Sequence, residues 1–402
     1  MTWLVAVTAG KWQKYAIQQA KLAGLKIVAI DDDPHAEGFA DADLVLCMDI
    51  FNIDGIQKEL SKHKIYPDGV SSFTSEAGMK TAATLRTIYS LPGISLEDVD
   101  LFINKVTQRK RWGQYNIPGP NWFKASTIEE FQKKIKALKF PVIIKPVDGS
   151  GSRGITKLNS HQDKIDIKTA FDEAFKSSKS NCIIVEEFIN GTEYTAEVFA
   201  HNGVINVLAI TQKKKVTGTN NTVASELASP LVEIKTLQQI KSAVRKAYQA
   251  LNLQDGPGHI ELITTDQQEI FFIEAAGRGG GFMVFDKLVP TISGVNIALA
   301  TALNACGKKV GDLMSNRISP RYSAVLRFIP SKPGTVIAID GFDSMDKIAN
   351  VEAEPFVRLG DVMSDAAHDG DRMGYILSTS KTPTDAQKLA NKAEKLLTIK
   401  VT

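Results

Sequence analysis

The chain has 402 residues, of which 43% are hydrophobic, and this length predicts two or three domains rather than one compact core. Charged residues make up 23%, aromatic residues 7%, and the net charge is only +3. So small a charge excludes the clustered basic surface that nucleic-acid or membrane binding requires. The three cysteines, Cys47, Cys182 and Cys306, are far apart and form no C-x-x-C spacing, which argues against a disulfide framework or a zinc site.

The amino-terminal stretch MTWLVAVTAGKWQKY has a short apolar run and no cleavage pattern. We therefore expect a first strand here and not a signal peptide. No stretch of the sequence approaches the length of a membrane span. These features predict a cytoplasmic, soluble α/β protein.

The first part of the chain alternates between strand and helix patterns. The predicted strands are TWLVAV, KIVAIDDDP, DLVLCMD and GVSSFT. The predicted helices are KYAIQQAKLAGL, which Gly24 ends, a segment around Ile56–His63, and EAGMKTAATLRTIYS. Strand, helix and strand at this spacing predict βαβ units in a parallel sheet. The segment LPGIS interrupts the pattern, and we place the first domain boundary near residue 97.

The remaining elements are longer and more mixed. DLFINKVTQRKRWGQYNIPGP predicts a helix that Pro118 and Pro120 stop. After it come a charged helix, TIEEFQKKIKAL, three strands, FPVIIKP, CIIVEEFI and YTAEVFA, and an amphipathic helix, TLQQIKSAVRKAYQALNL. GHIELIT and EIFFIEAAG predict a hairpin, and from about residue 311 strands alternate with a closing helix, TDAQKLANKAEKLL. The boundaries expected are 1–97, 98–310 with a subdomain at about 118–190, and 311–402.

Residues 141–158, PVIIKPVDGSGSRGITKL, contain the spacing G-x-G-x-x-G from Gly149 to Gly154. A dinucleotide-binding turn with this spacing must open a helix, because the helix amino terminus holds the pyrophosphate. Here the alternation around Ile155 and Lys157 predicts a second strand, and no Walker A sequence occurs. A glycine-rich turn between two strands predicts a flap whose backbone N–H groups lie over phosphates. Lys145, at the end of the first strand, either neutralises phosphate charge or reaches solvent.

Two acidic residues of the predicted hairpin are placed to face one another. If Gln267 and Gln268 form the turn, Glu261 lies opposite Glu274, with Cβ atoms roughly 4.5–5.5 Å apart. Two carboxylates this close need a cation or a shared proton, and hard oxygen ligands near a phosphate site indicate magnesium. The alternatives are a register slipped by one residue and an ion pair with Arg278. Arg278 itself, among four glycines, either binds a phosphate or carboxylate or forms a structural ion pair.

Together these motifs resemble the ATP-grasp superfamily. The matching order is INK, IIKPVDGSGSRGI, VEEFINGTEYT, HIELI and FIEAAGR, from about residue 100 to 300. The segments LAGLKIVAIDDDP and LPGIS resemble the pre-ATP-grasp domain. The resemblance implies a Rossmann-like pre-ATP-grasp domain at 1–97, an ATP-grasp core at 98–310 and a small α+β domain at 311–402 that closes the substrate cleft. The branch with L-amino acid ligases, carbamoyl-phosphate synthase large subunits and purine-pathway synthetases is especially similar.

The resemblance also implies a role for each motif residue. Magnesium, or manganese in its place, would bind Glu261 and Glu274, and Arg278 would be the catalytic residue that steadies the transferred phosphoryl group or acyl phosphate. The residues implied to bind ATP are Lys105, Lys145, Gly149, Ser150, Gly151, Ser152, Gly154, Ile155, Glu186, Glu187, Ile189 and Glu193. Among these, the lysines would touch the phosphates, Ile155 would lie against adenine, the segment from Glu186 to Ile189 would form the adenine hinge, and Glu193 would bind the ribose.

One position departs from the family pattern. Relatives commonly have Asn two residues after the second metal glutamate, where this chain has Ala276, so that one metal ligand is missing or is replaced by water. The function implied is an ATP-dependent carboxylate–amine ligase that forms an amide or peptide bond through an acyl phosphate, with small-molecule substrates and, as in many relatives, a homodimer. The alternatives are a purine-type synthetase acting on a ribose phosphate and a nucleotide-binding regulatory module without turnover.

Several other residues allow two interpretations. The segment 211–226 is polar, and its lysines Lys213 to Lys215 could reach the γ-phosphate. For two of these three lysines we expect exposure to solvent in a loop instead. Glu226 and Ser229 would line a substrate pocket by resemblance. Asp31 to Asp33 either contact substrate or cap a turn, His259 is expected to support Glu261 rather than bind metal, and Arg372 is a candidate for a substrate carboxylate.

Overall fold

The computed structural model describes residues 1–149, 151, 153–160, 167–216, 223–315, 322–366 and 368–402. Its first part is a parallel sheet in the order β3-β2-β1-β4. The strands are β1 (Trp3–Val7), β2 (Lys26–Asp31), β3 (Leu44–Cys47) and β4 (Gly69–Ser71), and the helices are α1 (Lys11–Leu22), α2 (Ile53–Lys62) and α3 (Met79–Tyr89). The predicted βαβ arrangement is confirmed. Helix α2 begins before the predicted segment because the Asn52 side chain caps it by accepting the Gly55 amide at 3.0 Å.

The prediction of one helix before Pro118 is wrong. The segment forms two helices, α4 (Asp100–Ile103) and α5 (Lys105–Gln114). Between them Asn104 is extended, with φ −123° and ψ 108°, and its side chain caps α5 by accepting the Thr107 amide at 3.0 Å. The break places Lys105 at the start of α5, where its amide donates to the Val147 carbonyl at 2.9 Å.

A separate antiparallel sheet, which we call the flap sheet, follows in the chain. Its elements are β5 (Trp122–Ala125), α6 (Ile128–Lys134), β6 (Val142–Pro146), β7 (Thr156–Leu158), α7 (Ile167–Ser177) and β8 (Ile183–Glu187). The strand order in this sheet is β5-β8-β6-β7. The two helices cover one face of the sheet, and Phe131, Phe171 and Val185 form part of a small core of its own.

The largest sheet, which we call the central sheet, combines strands from the middle and the end of the chain. The middle supplies β9 (Thr192–His201), β10 (Val204–Lys215), β11 (Ala224–Ala228), β12 (Gly256–Thr264) and β13 (Ile270–Ala276), with α8 (Ile234–Ala250), a π-helix (Val284–Leu288), α9 (Val289–Ser293), α10 (Ile297–Ala305) and α11 (Gly311–Ser315). The end supplies β14 (Ser323–Pro330), β15 (Gly334–Asp340), β16 (Val351–Pro355), β17 (Val362–Met363), β18 (Arg372–Ser380), α12 (Pro383–Glu394) and β19 (Thr398–Val401). Short 3₁₀ helices lie at Glu37–Asp41, Ile135–Ala137 and Phe342–Lys347.

The central sheet has the order β13-β12-β9-β10-β11-β14-β18-β16. Strands β17-β15-β19 form a fourth, smaller sheet after residue 322. Strand β14 pairs with β11 through Leu326 and Leu227, so the sheet runs without a break from the middle of the chain into its end. The apolar face of α8 packs beneath the sheet, where Val244 and Tyr248 are fully buried. The predicted α/β class is confirmed.

Within the described residues, no one helix is both long and apolar enough to cross a membrane, although the pair Val284–Ser293 and Ile297–Ala305, bent by 110°, passes that test of length and composition together.

Candidate active site

The glycine-rich segment lies between two antiparallel strands, as predicted. It joins β6 to β7, and the next α-helix begins at Ile167. Gly149, Gly151 and Gly154 have φ values of 101°, 75° and 67°, in the left-handed region that side chains other than glycine rarely adopt. These three glycines give the segment little side-chain bulk, and we call residues 149–154 the flap loop. The predicted site residues Ser150 and Ser152 lie outside the described residues.

Two buried lysines lie beneath the flap loop. The Lys105 ammonium donates to the Gly149 carbonyl at 2.9 Å and pairs with Glu274 at 2.9 Å. The Lys145 ammonium pairs with Glu186 at 2.7 Å. Glu186 also accepts from Arg109 Nε at 2.7 Å. The structure thus brings together five of the predicted residues, Lys105, Lys145, Gly149, Glu186 and Glu274, and adds Arg109, which no sequence motif indicated.

The cluster carries more positive than negative charge. Three cations, Lys105, Lys145 and Arg109, share two carboxylates, and all five charges are shielded from water to a large degree. Burial, the largest effect, lowers the pKa of Lys145, and Glu186 offsets this only in part because it is shared with Arg109. For Glu186, burial acts to raise the pKa, but Arg109 and Lys145 together hold it below its usual value. A surplus of buried cationic charge favours an anion.

The expected adenine hinge, Glu186 to Ile189, spans the end of β8 and the two residues after it. The Glu187 amide donates to the Asn121 carbonyl and the Phe188 amide to the Pro141 carbonyl, each at 2.9 Å. The Glu187 carboxylate accepts from Asn121 and from the Lys139 amide, both at 2.8 Å. Ile155 and Ile189 are half-buried. Among the described residues the Ile189 amide has no hydrogen-bond partner, so it is the hinge donor left for a ligand.

Glu261 and Glu274 lie opposite one another, as the hairpin predicts, although the predicted turn is wrong. Thr265 donates to Glu269, so the turn has one residue more than Gln267 and Gln268 alone. A β-bulge between this turn and the glutamates then leaves Ile273 without a cross-strand partner. The longer turn shifts the pairing by one residue, and the bulge shifts it back by one residue. Glu261 therefore still lies opposite Glu274.

The bulge has a structural use. It frees the carbonyl of Ile273, which accepts a short hydrogen bond from Arg109 Nη2. Arg109 therefore joins the strand that carries Glu274 to Glu186 at the base of the flap sheet. A regular hairpin would give this carbonyl a cross-strand partner instead.

The facing glutamates fit one hard cation in part. Each is held by a lysine: Glu274 by Lys105 at 2.9 Å and Glu261 by Lys213 at 2.8 Å. Burial, the largest effect, acts to raise both carboxyl pKa values, but the lysines keep both below their usual range. No group of three or more His, Cys, Asp or Glu side chains in the described part of the chain is arranged around a metal site. The two carboxylates supply oxygen ligands that suit magnesium, and further oxygens must come from a ligand or water.

Ala276, where relatives have Asn, provides no side-chain oxygen. Its carbonyl accepts the hydroxyl of the buried Tyr248 at 3.1 Å. This contact fastens the end of β13 to α8, so the backbone oxygen is already engaged at the position where the predicted ligand is missing.

The lysine-rich segment is a strand and not the solvated loop that was expected. Strand β10 continues to Lys215, and Lys213 lies buried between Glu193 and Glu261, at 3.0 and 2.8 Å. Burial, the largest effect, acts to lower the pKa of Lys213, but these carboxylates raise it. Lys215 also pairs with Glu193. Glu193, the expected ribose ligand, and Glu261, one of the expected metal ligands, thus share Lys213.

His259 and Arg278 complete the site on its far side. His259 Nδ1 makes a short contact with the buried Glu197, and its Nε2 lies 3.7 Å from Glu261. Arg278 Nη2 pairs with Glu76 at 3.1 Å, and its Nε is buried without a partner among the described residues. The prediction that His259 supports Glu261 agrees with these contacts.

Glu76 and Arg109 are site residues that the sequence analysis missed. Glu76 follows β4, at the carboxyl end of a parallel sheet where ligands gather, and this position was the available signal. Arg109 lies within the helix predicted before Pro118, and nothing in that pattern indicated that this arginine is buried. Two other residues with open interpretations have partners in the structure: Arg327 donates to Glu226 at 2.8 Å, and Asp31 accepts the Ala9 amide at 2.7 Å, which agrees with the turn-capping alternative.

Comparison with known proteins agrees with this geometry. Residues 138–286 match the ATP-grasp domain, and residues 327–402 match the L-amino acid ligase C-terminal domain 2. The uncharacterized protein y4rH of Sinorhizobium fredii is 26% identical over 96% of this chain and 79% of its own length. The L-arginine-specific L-amino acid ligase of Bacillus subtilis is 25% identical over 73% of this chain and 70% of its own.

A solved structure shares the whole fold. The L-amino acid ligase from Bacillus licheniformis superposes with a TM-score of 0.85 at 22% identity, covering 100% of this chain and 99% of that one. The likeness shows that the flap sheet, the central sheet and the amino-terminal sheet are arranged as in an ATP-grasp ligase. The chain belongs to the ATP-grasp superfamily, in the branch of carboxylate–amine ligases with L-amino acid ligase-like relatives.

Proposed function

We propose that the protein joins the carboxyl group of one amino acid to the amino group of another, with ATP converted to ADP and phosphate. One observation supports this most directly. The buried cations Lys105 and Lys145 lie beneath a glycine-rich flap loop and beside two facing carboxylates, Glu261 and Glu274. This combination suits a triphosphate and a hard cation at one place.

Each side chain has a distinct task in the proposed reaction. Lys105 and Lys145 bind and screen the phosphates, and the amide of Ile189 binds the adenine edge. Arg278 orients the acceptor carboxylate and the group transferred to it, since its guanidinium has an unused buried Nε. The acyl phosphate that forms is then attacked by the amine of the second substrate, and the closed flap loop excludes water from it.

Glu261 and Glu274 would hold magnesium, which supplies charge stabilisation for the phosphates when bound. Before that, Lys105 and Lys213 occupy the same carboxylates. We infer that these lysines turn toward the phosphates when nucleotide enters, because each then exchanges a carboxylate partner for a phosphate partner. Glu193 is released from Lys213 in the same movement and becomes free for the ribose.

We also propose the division into an amino-terminal domain at 1–97, an ATP-grasp core at 98–310 and a closing domain at 311–402. A purine-type substrate with a ribose phosphate is less well supported. It would require free cations on the substrate side, and the candidate there, Arg372, is neutralised by Asp369 at 2.6 Å. A regulatory module without turnover agrees with Ala276 but gives no role to the facing glutamates Glu261 and Glu274.

The proposal is tested by ADP release over a grid of carboxylate and amine pairs, beginning with amino acids. Glu274→Gln serves as the blank, and Glu269→Gln, an exposed residue of the same hairpin, is the matched control. We expect at least one pair to release ADP in step with amide formation, and the blank to be slower by about 100-fold or more. Equal rates for wild type and blank across the grid would refute the ligase assignment.

A further inference from the structure

A tight turn precedes β18 and faces the flap loop. The His368 amide donates to Asp371 Oδ2 and the Asp371 amide to the His368 carbonyl, each at 3.0 Å. The Gly370 amide donates to His368 Nδ1 at 3.1 Å. These bonds close the turn on itself, so its outward groups are held in fixed directions.

Asp369, at the tip of this turn, contacts two other parts of the chain. Its amide donates to the carbonyl of Gly151 in the flap loop at 3.3 Å. Its carboxylate accepts the amide of Ala224, the first residue of β11, at 3.4 Å. The turn therefore bridges the flap loop and the central sheet, although the three segments are far apart along the chain.

Arg372 holds Asp369 in this position. Its Nη2 donates to Asp369 Oδ1 at 2.6 Å and to the Ala224 carbonyl at 3.3 Å. Arg372 as a whole residue is 6% exposed, and its guanidinium carbon Cζ lies 3.6 Å from the Phe328 ring centroid and 4.5 Å from that of Phe282. A planar guanidinium that stacks between two rings has little freedom to turn, so the carboxylate paired with it is fixed as well.

The stack also reaches the segment that carries Arg278. Phe282 lies four residues beyond it, and its ring packs on Trp12 with centroids 4.7 Å apart. Phe282 and Met283 have φ values of 52° and 66°, an uncommon backbone conformation for such side chains, which needs support from surrounding contacts. Arg372 supplies part of that support, so one side chain contacts the substrate side and, through Asp369, the flap loop.

We propose that the turn at Asp369, fixed by Arg372, is a catch that holds the flap loop closed over the acyl phosphate. Both residues are positioning residues in this role, which rests on the proposed ligase function. In this role Arg372 serves Asp369 rather than a substrate carboxylate, because its Nη2 is already paired with Asp369, although its buried Nε has no partner among the described residues. With the catch weakened, the flap loop opens more often while the intermediate is present, and water competes with the amine.

Asp369→Asn tests the catch because the amide side chain keeps its size and loses the charge that holds Arg372. Asp365→Asn, an exposed aspartate four residues earlier, is the matched control. The measurement is the number of ADP molecules released per amide formed. We expect a ratio near one in wild type and control, and an increase of about 5-fold in Asp369→Asn, the effect of one lost charged hydrogen bond. Arg372→Lys, which keeps the charge without the stacking, should fall between them.

A second measurement needs only nucleotide binding. Arg153 is an exposed trypsin site inside the flap loop. A nonhydrolysable ATP analogue should protect this bond in the wild type and in Asp365→Asn, and protect it at least 5-fold less in Asp369→Asn. Because this readout does not involve turnover, it can succeed or fail independently of the ligase assignment.

The two measurements separate the possible failures. If Asp369→Asn couples ATP use to amide formation as tightly as wild type and is protected equally well, the catch does not exist. If Asp369→Asn only lowers the thermal stability, while ADP release per amide and the protection of Arg153 from trypsin stay as in wild type, the turn has a purely structural role. Failure of every substrate pair to release ADP, with the protection difference intact, would overturn the proposed function and leave the flap contact standing.

Discussion

Glu186 has two cationic partners in a place that water hardly reaches. Its side chain is 4% exposed and lies between Lys145 and Arg109. Removing one member of such a group leaves a buried charge without compensation, which costs far more than the loss of a surface ion pair. The carboxylate therefore permits a phosphate-binding lysine to be buried before any phosphate has bound.

We predict that Glu186→Gln lowers the free energy of unfolding by about 3 kcal/mol at neutral pH. Because the pKa of Glu186 is lowered in the folded protein, its contribution to stability is present at pH values above its unfolded-state pKa and is lost as the pH falls through its folded-state pKa. The difference in free energy of unfolding between wild type and Glu186→Gln should therefore become smaller at acidic pH. Urea unfolding measures it, with the exposed Glu129→Gln as control. A nonhydrolysable ATP analogue should restore part of the loss, and a variant as stable as wild type would contradict the prediction.

How far single residues could be predicted depends on how local their partners are. Glu261 and Glu274 share one hairpin, so their opposition followed from spacing, although a longer turn and a bulge reach it by another route. Lys213 was predicted poorly because its partners Glu193 and Glu261 lie on other strands. For Glu76, the partner Arg278 is 202 residues away, and no local pattern reports such a contact.

At the scale of elements, the flap loop depends on a close approach to α7. A Cβ added at Gly154 would lie 2.5 Å from Ser177 Oγ and 2.6 Å from Ser177 Cβ, and the φ of 67° is itself unfavourable for alanine. The glycine is therefore required for space and for backbone conformation at once. By contrast, Gly149 and Gly151 have open space where a Cβ would be, and only their backbone conformation requires glycine.

We predict that Gly154→Ala raises the KM for ATP by about 10-fold, because the flap loop must move away from α7 and from the phosphates. Ser177→Gly in the same chain removes the contact and should recover part of the loss, while the strain of the left-handed backbone remains. Gly113→Ala, in α5 with no atom within 4 Å of the added Cβ, is the control. Steady-state kinetics at varied ATP measures all four proteins, and no recovery in the double variant would show that the clash is not the cause.

The π-helix carries a carboxyl group in an unfavourable place. Burial, with a smaller contribution from Glu352, raises the pKa of Asp286 to about 6. Because the folded-state pKa of Asp286 is raised, the contribution of this group to stability is fully present at pH values below its unfolded-state pKa of 3.8, and it is lost as the pH rises through about 6. The nearby Lys287 pairs with Glu352 at 2.7 Å and leaves Asp286 only partly compensated.

We predict that Asp286→Asn stabilises the protein by about 1–2 kcal/mol at pH 8, a range reduced for partial solvent screening. The gain should vanish in acid, below the unfolded pKa, where wild-type Asp286 is protonated in both states. Thermal unfolding across this pH range measures it, and Asp365→Asn supplies the comparison for loss of an exposed charge. A variant that is less stable than wild type at pH 8 would show that the carboxylate has a stronger partner than this account allows.

For the molecule as a whole, the central sheet joins segments that the sequence separates into domains. Parallel pairing could be predicted where βαβ spacing repeats, as in the amino-terminal sheet, because a strand–helix–strand connection of this length favours parallel neighbours. The pairing of β11 with β14 could not, since β14 begins 95 residues after β11 ends and antiparallel pairing at that separation leaves no local signal. The flap sheet, in contrast, has its own core and joins α5 through a smaller cluster that contains Val106, Val147 and Ile184.

This arrangement predicts two levels of stability, which native-state hydrogen exchange can separate. Amides of β14 and β18 should exchange together with those of β9 and β12, because a continuous ladder cannot open at the middle without exposing Leu227 and Leu326. Amides of β6 and β7 should exchange earlier, since the flap sheet can open without disturbing that ladder. A nonhydrolysable ATP analogue should slow exchange in the flap sheet by at least 10-fold and leave the central sheet nearly unchanged. If β14 and β18 instead lost protection before β9 and β12, the end of the chain would be an independent unit docked on the core, and the pairing of β11 with β14 would be a weak contact rather than part of one folding unit.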